Sequence, residues 1–300
     1  MPDKILISGG TAGGAWGAVT EGVAEALRQG LGGITVSTTP GTDTTNFMRL
    51  ERGKCDLALG VASSGQRAIA GKEPFKEKAT NIRAVAALFQ EPFQFVILKK
   101  TGITDFSQIK AQKFPLRHSP NKKGNFMEIL SEAVFEKYGF DNKTIEDWGG
   151  KIIYNSYSES INLIRSGSLD SLSGCSPVPT TIFQELSGTH EITILPLKEE
   201  VIDSLGKEFG TQKVVIHSSD YNFLTEDVPT VASWNVLVCR ADLPDDLVYN
   251  VVKTLVQKSE FLSGIHVVLK KLTPEIMANT AGVPLHPGAE KYYREIGVIK

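Results

Sequence analysis

Cysteine and histidine are scarce in this sequence, and their spacing argues against several kinds of site. The three cysteines, Cys55, Cys175 and Cys239, are odd in number and far apart, so they predict neither a metal knuckle nor a disulfide framework. We expect them to be small apolar core residues. None of the five histidines has the His-x-x-x-His spacing of a zinc site. The sequence therefore predicts no metal and no cofactor.

Long apolar runs are also lacking. No stretch approaches the roughly 18 apolar residues that a membrane-spanning helix needs. Runs such as Val231–Cys239 are interrupted by Ser233 and Asn235 and fit strands. The first residues contain no charged-then-apolar leader. Either the protein is cytoplasmic, or a secretion leader has been removed from the chain.

Basic and acidic residues are nearly equal in number, with 32 lysines and arginines against 34 aspartates and glutamates. The net charge of −2 and the pI near 6.2 provide no basic field of the kind that binds phosphate backbones, so nucleic acid is not an expected partner. The 300 residues, 41% of them hydrophobic, suffice for one large core or for two cores of roughly 100 to 200 residues each.

Short apolar strands alternate with amphipathic stretches along the chain, which is the pattern of parallel sheets covered by helices. The first series comprises predicted strands at 4–8, 34–37 and 56–61 and predicted helices at 16–28 and 44–52. The second comprises helices at 125–138, 158–165 and 178–186 and strands at 151–154 and 169–173. One α/β unit is therefore expected to follow another.

The chain is expected to return to its first unit near the end. An apolar strand at 230–239 follows the apolar run at 93–98, and we expect both in one sheet with the middle segment inserted between them. The predicted lobes are residues 1–100 plus 228–300 and residues 101–227. The final segment, 273–300, is expected to form short helices broken by Pro284 and Pro287.

The most informative turn follows the first strand, where residues 8–16 read SGGTAGGAW. Glycines let backbone amides approach a ligand, and a helix N-terminus attracts anions, so the turn predicts an anion cradle. Ala15 and Trp16 stand where a nucleotide-binding P-loop needs Lys and Ser or Thr, and the G-x-G-x-x-G dinucleotide pattern also fails. The alternative is a tight turn without a ligand.

Two further turns occupy equivalent places after the next strands. Residues 38–45 read TTPGTDTT and residues 62–65 read ASSG. Ordinary helix capping by Asp43 or Thr44 is the alternative interpretation of the hydroxyl-rich turn. Because the carboxyl ends of neighbouring parallel strands meet at one edge of a sheet, the three turns predict a shared ligand site there.

The middle segment offers a second group of candidates. Residues 117–125 read RHSPNKKGN before a predicted helix, and residues 173–179 read SGCSPVP after a strand. Arg117 and His118 are the better candidates for an inward role, since Arg binds carboxylates in bidentate fashion, whereas Lys122 and Lys123 fit a solvated loop equally well. No Gly-x-Ser-x-Gly motif occurs, Cys175 has no histidine nearby, and no catalytic constellation is expected.

Taken in order over nearly the whole chain, several short motifs match one family. These are GGTAGG at 9–14, LERGKCDLA at 50–58, AVAALFQEP at 84–92, DVPTV at 227–231, RADLP at 240–244 and PLHPGAEKYY at 284–293. The sequence resembles the TAXI group of solute-binding proteins of tripartite ATP-independent periplasmic (TRAP) transporters.

The resemblance implies a type II periplasmic-binding-protein fold, α/β, with two lobes joined by two crossover strands and a ligand cleft between them. It implies no catalysis, a periplasmic location with the signal sequence missing from this chain, docking onto TRAP membrane subunits, and an organic anion of the glutamate or 2-oxoglutarate type. A monomer is expected by analogy. The sequence departs from the family's usual residues at Ala15-Trp16, at Ser63, across 121–125 and at Cys175, which argues against assigning glutamate itself.

The resulting hypothesis places a ligand carboxylate on the amides at the start of the first helix, with an apolar wall from Trp16 and polar contacts from both lobes. The expected ligand-binding residues are Gly13, Gly14, Ala15, Trp16, Thr42, Ser63, Gln90, Arg117, His118, Ser119, Asn125 and Cys175. Two alternatives stay open: an enzyme such as a transferase or deaminase on the same fold, and a ligand sensor or surface antigen.

Overall fold

The computed structural model describes residues 3–10 and 15–300. The chain divides into two compact units. Unit 1 comprises Met1–Phe89 and Trp234–Lys300, and unit 2 comprises Gln90–Ser233. The chain passes between the units within two strands, so the boundaries lie inside those strands and not at 100/101 and 227/228, where the sequence placed them.

Strands and helices alternate as the apolar periodicity predicts. The strands are β1 Lys4–Gly9, β2 Thr35–Pro40, β3 Leu57–Val61, β4 Arg83–Leu98, β5 Arg117–Ser119, β6 Lys151–Ile152, β7 Ser171–Cys175, β8 Ile192–Ile194, β9 Gln212–Ile216 and β10 Val228–Cys239. The helices are α1 Ala15–Gly30, α2 Asp43–Glu51, α3 Ala62–Ala70, α4 Phe106–Ala111, α5 Phe126–Lys137, α6 Asn142–Asp147, α7 Tyr157–Arg165, α8 Thr181–Ser187, α9 Glu199–Phe209, α10 Asp245–Gln257, α11 Ser259–Ile265, α12 Pro274–Ala278 and α13 Pro287–Glu295.

In unit 1 a parallel sheet is closed on one side by an antiparallel strand. The strand order is β2-β1-β3-β10, with β10 antiparallel to β3. One face packs on α1 and α10 through residues such as Val19, Leu59 and Val251, and the other packs on α2 and α3 through Phe47 and Ala68. Both faces of the sheet are therefore buried, as expected for a parallel α/β sheet.

Unit 2 contains its own sheet and core. β7 pairs with β4 in antiparallel fashion and with β5 in parallel fashion, and β6 continues on the far side of β5. β8 and β9 pair with β4 and β10, respectively. Its core joins Val96, Leu172 and Phe183 with the helices that cover them.

The closing motif at 284–293 has a packing role. Backbone hydrogen bonds join Ala84 to Pro284 and to His286. The Nδ1 atom of His286 caps α13 by accepting from the amide of Gly288. A side chain at Gly288 would collide with the backbone of α10. Pro287 begins α13 and does not break it, because a proline at the first helical position lacks only an amide that would be unpaired anyway.

Within the described ranges, no helix is both long enough and apolar enough to cross a membrane.

Candidate functional site

Three strand-to-helix turns meet at one edge of the unit 1 sheet. β1 is paired in parallel with both β2 and β3, so the turns that follow these three strands lie at the same, carboxyl, edge. α1, α2 and α3 begin there. Open α/β sheets bind ligands at this edge, which makes it the first candidate site.

The buried side chain of Asn46 holds this edge together. Its Nδ2 donates to the carbonyl of Gly9 at 3.1 Å and to that of Leu59 at 2.7 Å, and its Oδ1 accepts from the Ser8 hydroxyl at 2.7 Å. The approach is close, because a Cβ at Gly41 would overlap the Asn46 amide. Asn46 therefore fixes β1, β3 and the start of α2 relative to one another.

A pocket of about 560 Å³ opens beside the start of α1, which is within the size range of small-molecule sites. Its lining includes Gly10 and Ala15 from the first turn, Thr38 and Thr39 from β2, and His266. Among the described residues its lining has no lysine or arginine, and it includes one acidic side chain, that of Glu21 in α1, whose Oε1 accepts from the Thr38 hydroxyl at 2.5 Å. The first turn of this 16-residue helix carries no acidic side chain, so the pocket's one carboxylate from α1, that of Glu21, lies in the second turn.

The structure describes two of the four candidates from the glycine turn. Gly13 and Gly14 lie outside the described residues. Ala15 is the first residue of α1 and lines the pocket, and the half-buried Trp16 packs against the core that α1 shares with the sheet. Trp16 therefore has a packing role in the structure, and its role as an apolar wall for the ligand stays a prediction.

The second turn is an N-cap. Thr42 caps α2 and forms a reciprocal capping box with Thr45. Helix capping is the alternative interpretation that the sequence left open for this turn, but the capping residue is Thr42 and not Asp43 or Thr44. The Thr42 side chain is exposed.

The side chain of Asp43, at the start of α2, binds the third turn, which joins β3 to α3. Its Oδ1 accepts from the amide of Val61 at 2.8 Å, and its Oδ2 accepts from the Ser64 hydroxyl. Desolvation raises the pKa of Asp43 to about 6. Ser63 beside it is fully buried. The N-terminal turn of α3 is therefore already in contact with a carboxylate from the same chain.

In unit 2 the predicted carboxylate-binding arginine has an internal partner. Arg117 Nε and Nη2 donate to the two carboxylate oxygens of Asp170 at 2.8 and 2.5 Å, and its Nη1 donates to the carbonyl of Gly167 at 2.6 Å. The hydrogen bonds that Arg117 donates to the Asp170 carboxylate raise the pKa of Arg117. This bidentate geometry is the one that a ligand carboxylate would need, so it does not fit the expectation that Arg117 binds the ligand.

His118 is enclosed in the core of unit 2. Its ring stacks on Phe95 at 4.8 Å between centroids, Nδ1 contacts the Ser171 hydroxyl at 2.8 Å, and Nε2 contacts that of Ser173 at 3.1 Å. Burial lowers the pKa of His118 to about 3, so the ring is neutral. It is a core residue in this structure.

The remaining candidates are distributed over unit 2. Ser119 is buried and accepts from the Ser160 hydroxyl at 2.7 Å. Asn125 caps α5 by accepting from the amide of Glu128 at 2.9 Å. Gln90 donates to the side chain of Gln212 at 3.1 Å, and Cys175 is buried at the end of β7.

Sequence reasoning missed the most unusual polar residue in unit 1, Asn235. It lies in β10 opposite Val61, the last residue of β3, and is fully buried. Neither its Oδ1 nor its Nδ2 has a hydrogen-bond partner among the described residues. The available signal was an amide in the middle of an apolar strand, which the sequence showed only as an interruption.

Comparisons with known proteins place this geometry in a family. Residues 7–297 match the NMT1-like family. Among solved structures, PhnD1 from Prochlorococcus marinus in complex with methylphosphonate is 12% identical, with 100% of each chain covered and a TM-score of 0.61. The periplasmic binding protein BugD is 15% identical over 99% of this chain and 97% of its own, with a TM-score of 0.58. MatC from Rhodopseudomonas palustris with bound malate is 12% identical over 99% and 97%, with a TM-score of 0.58.

These likenesses confirm the predicted fold class, whereas the narrower TAXI resemblance stays a prediction. The chain belongs to the NMT1-like family and has the two-unit α/β fold of periplasmic binding proteins.

Proposed function

We propose that the protein is a non-catalytic, extracytoplasmic solute-binding protein that captures a small organic anion and delivers it to a membrane transporter. The observation that carries the proposal is the edge of the unit 1 sheet, where Asn46 holds two strand ends and the start of α2 beside a pocket of about 560 Å³. The fold supports it, because the similar structures described above include proteins bound to methylphosphonate and malate.

The start of α1 is the proposed anion-binding element. Its first turn carries no acidic residue and the described part of the lining has no lysine or arginine, so backbone N–H groups and hydroxyls would hold the anion, on the side of the pocket away from the Glu21 carboxylate. The proposal includes a dicarboxylate or amino acid as the ligand, a TRAP transporter of the TAXI type as the partner and a monomeric, periplasmic protein. These details rest on the motifs of the sequence analysis.

Native mass spectrometry of the purified protein, followed by denaturation, tests the function directly. We expect a stoichiometric small organic acid that is released chemically unchanged. A covalent adduct or a chemically altered product would instead support an enzyme. A protein that carries nothing and shows no thermal shift with any of a panel of organic anions would contradict the proposal.

A charge placed at the start of α1 tests the location of the site. Ala15→Asp puts a carboxylate where the helix dipole favours it, so the fold should not be weakened, while an anionic ligand should bind at least tenfold more weakly by calorimetry. Thr181→Asp is the matched control, since it adds the same charge to the exposed first position of α8 in unit 2. Equal affinity in both variants would remove the α1 start from the site.

A further inference from the structure

Asn235 is a buried amide in β10 that has no hydrogen-bond partner within the described part of the chain. The adjacent Trp234 and Val236 belong to the core beside α2, and Leu237 belongs to the core beside α1. Because side chains alternate along a strand, Asn235 faces the α1 side of the sheet. It pairs with Val61, the last residue of β3, so its amide lies at the same carboxyl edge of the sheet as the pocket beside α1, although the described lining of that pocket comes from the first turn, α1, β2 and His266 and not from β10.

An unpartnered buried amide is unfavourable for folding, because it gives up hydrogen bonds to water and gains none. Asn46 shows the contrast within the same unit: both of its amide atoms are bonded, and it joins three elements. Asn235 makes no equivalent link among the described residues. A hydrophobic residue would suit the position better if packing were its only role.

We propose that Asn235 is a specificity residue that contacts the solute, an inference that rests on the proposed function. Its amide is enclosed, so a solute reaches it by displacing the groups over it, and binding exchanges an unpartnered amide for a partnered one. The inference goes beyond a generic organic anion, because an amide presents a donor and an acceptor side by side.

The pair of groups defines the class of solute. A carboxylate oxygen accepts from Nδ2, and a neighbouring hydroxyl or ammonium group donates to Oδ1. A solute that carries only acceptors leaves Oδ1 facing another oxygen, which is unfavourable. The site should therefore take acids with a hydroxyl or amino group beside the carboxylate, in preference to plain dicarboxylates or sulfonates.

The first arm of the test needs no ligand. Asn235→Leu keeps the branching of the side chain and removes the unpartnered amide, so the apparent Tm of the ligand-free protein should stay the same or rise. Asn46→Leu is the matched control and should lower the Tm, since it breaks three hydrogen bonds. A fall of several degrees in both variants would overturn the inference, because it would show that Asn235 is a structural residue.

The second arm uses solutes that differ by a single donor. Calorimetry at pH 7.5 compares malate with succinate and glutamate with glutarate, on the wild-type protein and on Asn235→Leu. We expect the wild-type protein to prefer the donor-bearing member of at least one pair by tenfold or more, and the variant to lose that preference. Asn235→Ala, which adds no volume, replaces the Leu variant if the latter fails to fold.

The outcomes separate the two proposals. An unchanged preference in the variant, or a wild-type protein that prefers succinate or glutarate, would overturn the role of Asn235 and leave the solute-binding function standing. A wild-type protein that binds none of these acids and carries no other solute would contradict the function itself, and with it the inference.

Discussion

At the scale of single residues, Arg117 is predicted from the sequence to bind the ligand and has an internal partner in the structure. Its guanidinium is bound to Asp170, whose carboxylate is 8% exposed. Arg117→Ala should therefore lower the free energy of unfolding by about 2 kcal/mol, because it leaves a buried carboxylate with little compensation. Urea denaturation measures this change, and solute affinity should be unaltered.

The double variant Arg117→Ala with Asp170→Asn is the control for this prediction. It removes the unpaired charge and should recover part of the lost stability. A single Arg117 variant with normal stability and tenfold weaker binding would restore the sequence-based assignment of Arg117 to the ligand.

His118 predicts a pH dependence of stability. Its pKa is about 3 in the folded protein and 6.5 in an ordinary environment, so below pH 6.5 the unfolded chain binds a proton that the folded protein does not. Stability from this residue is fully present above pH 6.5 and declines by about 1.4 kcal/mol per pH unit toward pH 3.

The variant His118→Gln isolates this effect. Denaturation of both proteins at several pH values between 7.5 and 4.5 should show wild-type stability falling relative to the variant as the pH decreases. Parallel pH profiles would mean that the ring stays accessible to protons in the folded protein.

At the scale of elements, Asp43 at the start of α2 is bound to the turn between β3 and α3. Its effect on the pH dependence of stability is opposite in sign to that of His118. Its folded pKa of about 6 lies above the ordinary value of 3.8, so the stability associated with its protonated form is lost as the pH rises from about 3.8 to about 6. Asp43→Asn should remove this loss, which we put at about 1 kcal/mol because the residue is only partly buried.

Denaturation at pH 4 and pH 6.5 checks the prediction. The variant should gain stability relative to the wild-type protein between these values. A variant that is equally destabilised at both would show that the carboxylate itself, and not its charge state, holds the β3–α3 turn.

The boundaries of elements were predictable where periodicity was strong. The predicted strand at 4–8 and the helix at 158–165 match β1 and α7 to within one residue at each end. β4 was predicted only over 93–98, because the alanines of its first half gave no alternating pattern, although it begins at Arg83. The roles of polar residues were harder to predict from the sequence. Arginine, histidine and asparagine occur in ligand sites, in cores and at helix caps, and only the hydrogen-bond partners of Arg117, His118 and Asn125 show which role each one has.

At the scale of the whole molecule, the return of the chain to its first unit was predictable from the sequence. The apolar strand at 230–239 follows a complete second α/β series, so it was expected to pair in the sheet that contains the run at 93–98. The residues at which the chain changes units were not visible. β4 and β10 continue through the boundary without a break in their apolar pattern, since both halves of each strand are buried. Asn235 could not be identified for a related reason, as the sequence shows an amide but not whether a partner lies beside it.

The split of unit 1 around a continuous unit 2 has a consequence for the order in which the protein matures. Every residue of unit 2 has been synthesised once Ser233 is added. In unit 1, by contrast, β3 lacks its neighbouring strand until β10 is synthesised, and the core beside α1 is incomplete until α10 and α13 are synthesised. Contacts between residues so distant in sequence form slowly and late. The unit that carries the proposed site should therefore be the later of the two to become functional, and the growing chain should be unable to retain a solute until residues 234–300 have emerged.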